Sequence, residues 1–162
     1  MHNTLPANGM IGGIIIAILM GIIYLAVKIP YCCSLYKTMK CVPSEKRIFP
    51  NGFVWIFLIP VFDFIFEWMM LPFGIPIGLK NAMSNNPTAV SAAKTIKGLG
   101  LAMQILSTCG TLLLYCYEIA THGNSPDFAT IGLLFLLWVA IFVLWIIQWV
   151  DITAFRKKYF EN

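Results

Sequence analysis

The chain has 162 residues, of which 59% are hydrophobic and 11% charged, with a formal net charge of +4. A soluble domain carries about 25% charged residues, so this chain has too few charges to cover a water-facing surface. A single membrane domain over residues 1–162 is expected. The basic residues fall in short groups between apolar segments, which excludes a nucleic-acid surface and fits loops beside anionic lipid headgroups.

The leader MHNTLPANG carries no Lys or Arg, and no Ala-x-Ala site follows the first apolar run, so that run is expected to be retained. Residues 10–27 hold no charge, and a helix over about 10–29 is predicted, since a bilayer core of about 30 Å needs roughly 20 helical residues. Gly9, Gly13, Ala17 and Gly21 recur every four residues and lie near one face. Small residues let helix backbones approach closely. The face therefore suits a homo-oligomer interface, or packing against another helix of the same chain.

Residues 53–79 form a different kind of apolar segment. It contains Pro60, Pro72 and Pro76 and two acids, Asp63 and Glu67. The loop at 28–52 carries Lys28, Lys37, Lys40, Lys46 and Arg47; residues 80–97 carry Lys80, Lys94 and Lys97; the tail carries Arg156, Lys157 and Lys158. Four full crossings would split these charges five against six. Three crossings, with 53–79 dipping in and returning, put all eleven on one side, as the positive-inside bias prefers. The expected fold is therefore an all-α integral membrane bundle of three transmembrane helices plus a Pro-kinked re-entrant or interfacial segment. Four transmembrane helices are the alternative, since membrane helices tolerate Pro.

Asp63 and Glu67 stand at i and i+4 and share a face wherever that stretch is helical. A carboxylate at mid-bilayer costs at least about 2.5–3.5 kcal/mol on insertion scales, so both acids need water or a partner. Lys94 and Lys97, at the start of the next helix, are the candidates. A proton- or cation-handling site is one reading of the pair, and shallow placement in headgroup water is the other.

Residues 98–117 are uncharged, and a helix over about 98–120 is predicted. Gln104, Thr108, Thr111, Tyr115 and Glu118 follow spacings of four, three, four and three and form a stripe on it. Such a row lines an aqueous path or serves as interhelical hydrogen-bond glue. Residues 128–150 are uncharged and open a helix over about 128–154. Phe128, Phe135, Trp138, Phe142, Trp145 and Trp149 run along it, with Trp149 placed for an interfacial belt. The mid-helix aromatics suit core or lipid contact, or an apolar ligand.

The five cysteines form no Cys-x-x-Cys, and neither His lies near them in sequence, so they read as inert thiols rather than metal ligands. No phosphate loop, His-Glu-x-x-His, nucleophile elbow or dinucleotide fingerprint occurs. No enzyme activity, cofactor or metal is expected.

Arg47, Pro50, Trp55, Leu58, Ile59, Pro60, Phe62 and Trp68 follow an order of Arg, Pro, Trp, Leu-Ile-Pro-x-Phe and aromatic. This resembles a segment of small uncharacterised bacterial multi-span membrane proteins. The resemblance implies a bacterial inner membrane and no particular mechanism. With the charges inside, the N-terminus is expected outside and the C-terminus in the cytoplasm. Two functions stay open: a small oligomeric channel or transport component for an ion or proton, and a non-catalytic subunit of a larger membrane complex. The partners expected are lipid and either further copies of the chain or other membrane subunits.

Overall fold

The computed structural model describes residues 7–121 and 127–161, and no strand occurs among them. The chain is an all-α membrane helical bundle. Its helices are α1 (Ala7–Cys41), α2 (Pro60–Met69), α3 (Ile75–Ala82), α4 (Pro87–Ala120) and α5 (Phe128–Phe160). A π-helical turn, Met70–Gly74, joins α2 to α3 in one kinked run. Four runs are long and apolar enough to cross a membrane: Gly12–Cys41, Phe62–Ala82, Pro87–Tyr117 and Phe128–Phe160.

Helix α1 passes residue 29 and places Lys28 inside a helix rather than in a loop. Proline removes one helical donor, and here that loss is outweighed. Tyr31, Leu35, Met39 and Val42 follow helical spacing below Pro30 and are fully buried. Helix α4 starts at Pro87, eleven residues before the uncharged run. Pro87 sits in the first turn, where no N–H is needed. The Asn86 side chain accepts from the Thr88 and Ala89 N–H groups at 3.1 and 3.2 Å. Lys94 and Lys97 therefore lie within α4. Helix α5 is capped by Asp127, which accepts from the Thr130 N–H at 3.0 Å. The Thr130 hydroxyl and N–H hold its carboxyl below the usual carboxylate range. The helix continues to Phe160 because Ile152 and Phe155 are buried.

Residues 51–82 make a hairpin. Its rising arm is a 3-10 helix, Asn51–Leu58, which covers about 16 Å in eight residues where an α-helix covers about 12 Å. The turn comes at Ile59, held extended (φ −97°, ψ 106°) because Pro60 follows it. Pro60 then opens α2. The descending arm pairs with the rising one: Phe66 packs on Phe53 at 5.7 Å, Gly74 lies against Phe49, and Gly78 lies against the Lys46 carbonyl. The same arm descends alongside α1, from Lys28 at Asp63 to Val42 at Gly78. Both ends of the hairpin thus lie at the end of the bundle that holds Val42, called the lower end below. By its path the segment 53–79 returns to the face it came from, although Phe62–Ala82 alone has the length of a span.

From the hairpin α4 climbs and α5 descends beside it. Gly110 meets Leu137, Gly100 meets Gln148, and the Tyr159 hydroxyl bonds Thr88 Oγ1 at 3.4 Å. Helix α5 also follows α1, with Trp145 at Tyr31 and Thr153 at Ser34. The hairpin lies between α1 and α4 on one side, and α5 closes the other. The core clusters at the lower end, from Tyr31 to Val42, Val54 to Phe57, Met70 to Leu79, Ala89 to Met103 and Ile152 to Phe155. Above the hairpin, α1 and α5 carry fully apolar, exposed faces, such as Ile16, Ile18, Phe135 and Leu136. Such faces suit acyl chains rather than water.

Candidate functional site

The hairpin tip carries the charge cluster. Pro60 starts α2, so Asp63 and Glu67 fall one turn apart on one face, which meets α1. There the partner is Lys28. Its Nζ donates to Asp63 Oδ1 and Oδ2 at 3.0 and 2.9 Å and to Glu67 Oε1 at 2.5 Å. The expectation that Lys94 or Lys97 would serve is corrected, because the descending arm faces α1 with its acids and α4 with Trp68. Lys97 Nζ instead sits 5.4 Å from the Phe73 ring.

The two carboxylates are held differently. Tyr24 donates its hydroxyl to Asp63 Oδ2 at 3.0 Å, so both Asp63 oxygens have short bonds. Glu67 spends Oε1 on Lys28, while Oε2 meets, among the described residues, only the Gln104 amide at 3.5 Å. An ammonium has three donors, and those of Lys28 all point to Asp63 and Glu67. With both acids ionised, the cluster keeps one uncompensated negative charge.

A cavity of about 500 Å³ lies beside this cluster, with walls from α1, α2, α4 and α5. Glu67, Lys28, Tyr24, Gln104 and Ser107 supply its polar groups. Trp138, Phe142 and Trp145 form one wall, with Trp138 and Phe142 stacked at 5.6 Å and Phe142 and Trp145 at 5.9 Å. Its rim residues Met20, Ile23 and Trp138 are each more than half exposed, so the cavity borders the lipid.

The polar stripe of α4 divides at the height of the hairpin tip. Gln104 is buried and reaches Glu67. Thr108 accepts from Trp68 Nε1 at 3.1 Å and donates to the Gln104 carbonyl at 2.9 Å. Thr111 and Tyr115 lie on the outer surface, and Thr111 bonds back to the Ser107 carbonyl. The structure therefore does not bring Thr111 or Tyr115 to the cluster. On α1, Gly13 and Gly21 have open space where a side chain would project. The side chains of Ala17 and Glu118 and the surroundings of Gly9 lie outside the described residues.

Three positions escaped the sequence reading. Lys28 read as a loop charge, although two acids in an apolar run call for a cation nearby. Gln148 is fully buried and donates to the Leu71 carbonyl at 3.3 Å. The π turn explains this bond. It pairs the Met70 carbonyl with the Ile75 N–H, so the next carbonyl, Leu71, would need an N–H from Pro76, which has none. Gly100 is the third: a Cβ there would stand 2.6 Å from Gln148 Nε2 and 2.8 Å from the Leu71 oxygen. The spacing of Pro72 and Pro76 was the available signal for an orphaned carbonyl.

No protein-family model, curated protein or solved structure matches this chain.

Proposed function

We propose that the chain is a small membrane transport component that handles a proton or cation at Glu67. The supporting observation is the asymmetry of the cluster. Asp63 is locked between Lys28 and Tyr24, while Glu67 lines a cavity and its second oxygen has one long bond, 3.5 Å from the Gln104 amide. A carboxylate kept in an apolar layer with one spare charge attracts a proton or cation. Ten of the eleven Lys and Arg lie in the lower half of the bundle, and Lys28 lies at the hairpin tip. The positive-inside bias then puts that end in the cytoplasm and the N-terminus outside, in keeping with a bacterial inner membrane. No catalytic role belongs to this reading.

Three crossing helices enclose little space, so the transporting unit is read as a homo-oligomer joined along the Gly13 and Gly21 face of α1. Proteoliposomes under an imposed potential test the proposal. Proton or cation uptake should appear with the parent protein and vanish in Glu67→Gln. Absence of uptake in the parent, or equal uptake in the variant, refutes it.

The outer placement of Thr111 and Tyr115 favours a second reading. Polar side chains on a lipid-facing surface call for a partner helix, and a foreign subunit would satisfy them in a larger complex. Purification in mild detergent separates the two. A single species at a multiple of the chain mass supports the oligomer, and stoichiometric foreign subunits support the complex.

A further inference from the structure

We infer that the cavity beside Glu67 takes an apolar organic cation, an onium ion carrying aromatic or alkyl groups, drawn from the surrounding lipid. This rests on the reading of Glu67 as the ion-handling group and names its substrate class.

Size, charge and wall chemistry each narrow the ligand. At about 500 Å³ the cavity falls in the range of about 300–1,000 Å³ that holds small organic ligands. A hydrated metal ion would leave most of the apolar wall unused. An anion is disfavoured twice. The spare charge at Glu67 repels it, and Lys28 offers it no donor because its three N–H groups are taken. A neutral acyl chain can fill the walls but leaves Glu67 Oε2 with, among the described residues, Gln104 alone. A cation satisfies both halves of the site.

The aromatic wall adds to this. Trp138, Phe142 and Trp145 run as a stacked row, with interplanar angles of 8° and 23° between successive rings. The row gives the aromatic or alkyl groups of the ion a continuous apolar wall to pack against. The rim at Met20, Ile23 and Trp138 is exposed to the lipid side, where an apolar cation concentrates. When Glu67 is protonated, entry of the cation displaces that proton to the bulk, and the charge of the site is unchanged. This is the exchange a coupled transporter needs.

Purified protein in detergent can be titrated with tetraphenylphosphonium by calorimetry, with proton release followed in weak buffer. Saturable binding of one cation per chain is expected, weaker at acid pH and accompanied by proton release. Glu67→Gln should lose at least about tenfold in affinity and all proton release, with an unchanged elution profile. Trp138→Leu, at an exposed rim position, should weaken binding and keep proton release. Tetraphenylborate, matched in size and opposite in charge, should not compete.

Absence of saturable phosphonium binding overturns the inference, as does equal binding by Glu67→Gln. Equal binding of the borate also overturns it, by showing a lipid-filled gap only. If phosphonium fails to bind while liposome uptake still depends on Glu67, the substrate class is wrong and the proposed function stands. Loss of both refutes both.

Discussion

Replacing Lys28 with Met should be among the most damaging single changes at the hairpin tip. Methionine keeps the length and apolar stem of lysine and removes only the ammonium. Three N–H···O bonds are lost, and Asp63 and Glu67 are left facing each other with no counter-charge. The Lys28 and Glu67 side chains retain only 12% and 18% exposure, so water cannot easily replace the ammonium. Removing one partner of a buried ion pair costs about 3–5 kcal/mol. For a chain of this size each kcal/mol moves the midpoint by about 2–4 °C, giving a fall of about 6–20 °C. Size-exclusion chromatography after heating detergent-solubilised protein reads this directly. The deficit should narrow in acid, where a proton can replace the missing ammonium. It should also shrink sharply when Asp63→Asn and Glu67→Gln are added, because the three residues act as one unit. A midpoint equal to the parent's, or an equal loss in the background without acids, refutes the reasoning.

Gly100→Ala should cost about 1–3 kcal/mol, as overpacking does, because its Cβ would press on the Leu71 carbonyl and the Gln148 amide. A thermal midpoint unchanged by this substitution would show that the hairpin does not pack so closely on α4. Trp68→Phe removes the bond to Thr108, and a loss of about 0.5–1.5 kcal/mol is expected in the same assay; no loss would make that bond energetically idle. In a background with the five native cysteines replaced, Asn85→Cys and Ser44→Cys, at the two bases of the hairpin, should both stay unlabelled by a membrane-impermeant maleimide in intact cells and both react after permeabilisation. Labelling of one site from outside and the other from inside would mean that the hairpin crosses.

The sequence carried the helices well because an uncharged run of bilayer length has few alternatives. The hairpin path of 53–79 is expected from its three prolines and from the sorting of basic residues, and the place of its turn, Ile59 before Pro60, comes from the structure alone. The sequence did not carry the length of α1, because Lys28 and Pro30 look like a helix end. Only tertiary burial of Tyr31, Leu35 and Met39 keeps that helix going. The partner of the acids was misplaced for the same reason, since a Lys judged to be in a loop is not considered for a buried pair. The stripe on α4 was visible as a period, yet period alone does not say how far up a neighbour reaches. The hairpin covers Gln104 and Thr108 and stops, so the same stripe is buried below and bare above.

The site lies beside that stopping point. The cavity lies between α1, α4 and α5, and the hairpin contributes one residue to its wall, Glu67 on α2. The turn that ends the hairpin starts α2, whose first turn meets α1 through Asp63 and whose second brings Glu67 to the cavity. Asp63 lies on the α1 side and is consumed in holding the tip to Lys28 and Tyr24. Glu67, one turn lower, shares that anchor through one oxygen, accepts from Gln104 at the other and lines the cavity. On the proposed function, stability and ion handling are divided between two carboxylates four residues apart. Asp63→Asn should therefore act chiefly on the thermal midpoint, and Glu67→Gln chiefly on ligand and proton binding. If the two substitutions shift both readouts equally, the division does not exist, and the cluster serves only to hold the tip in place.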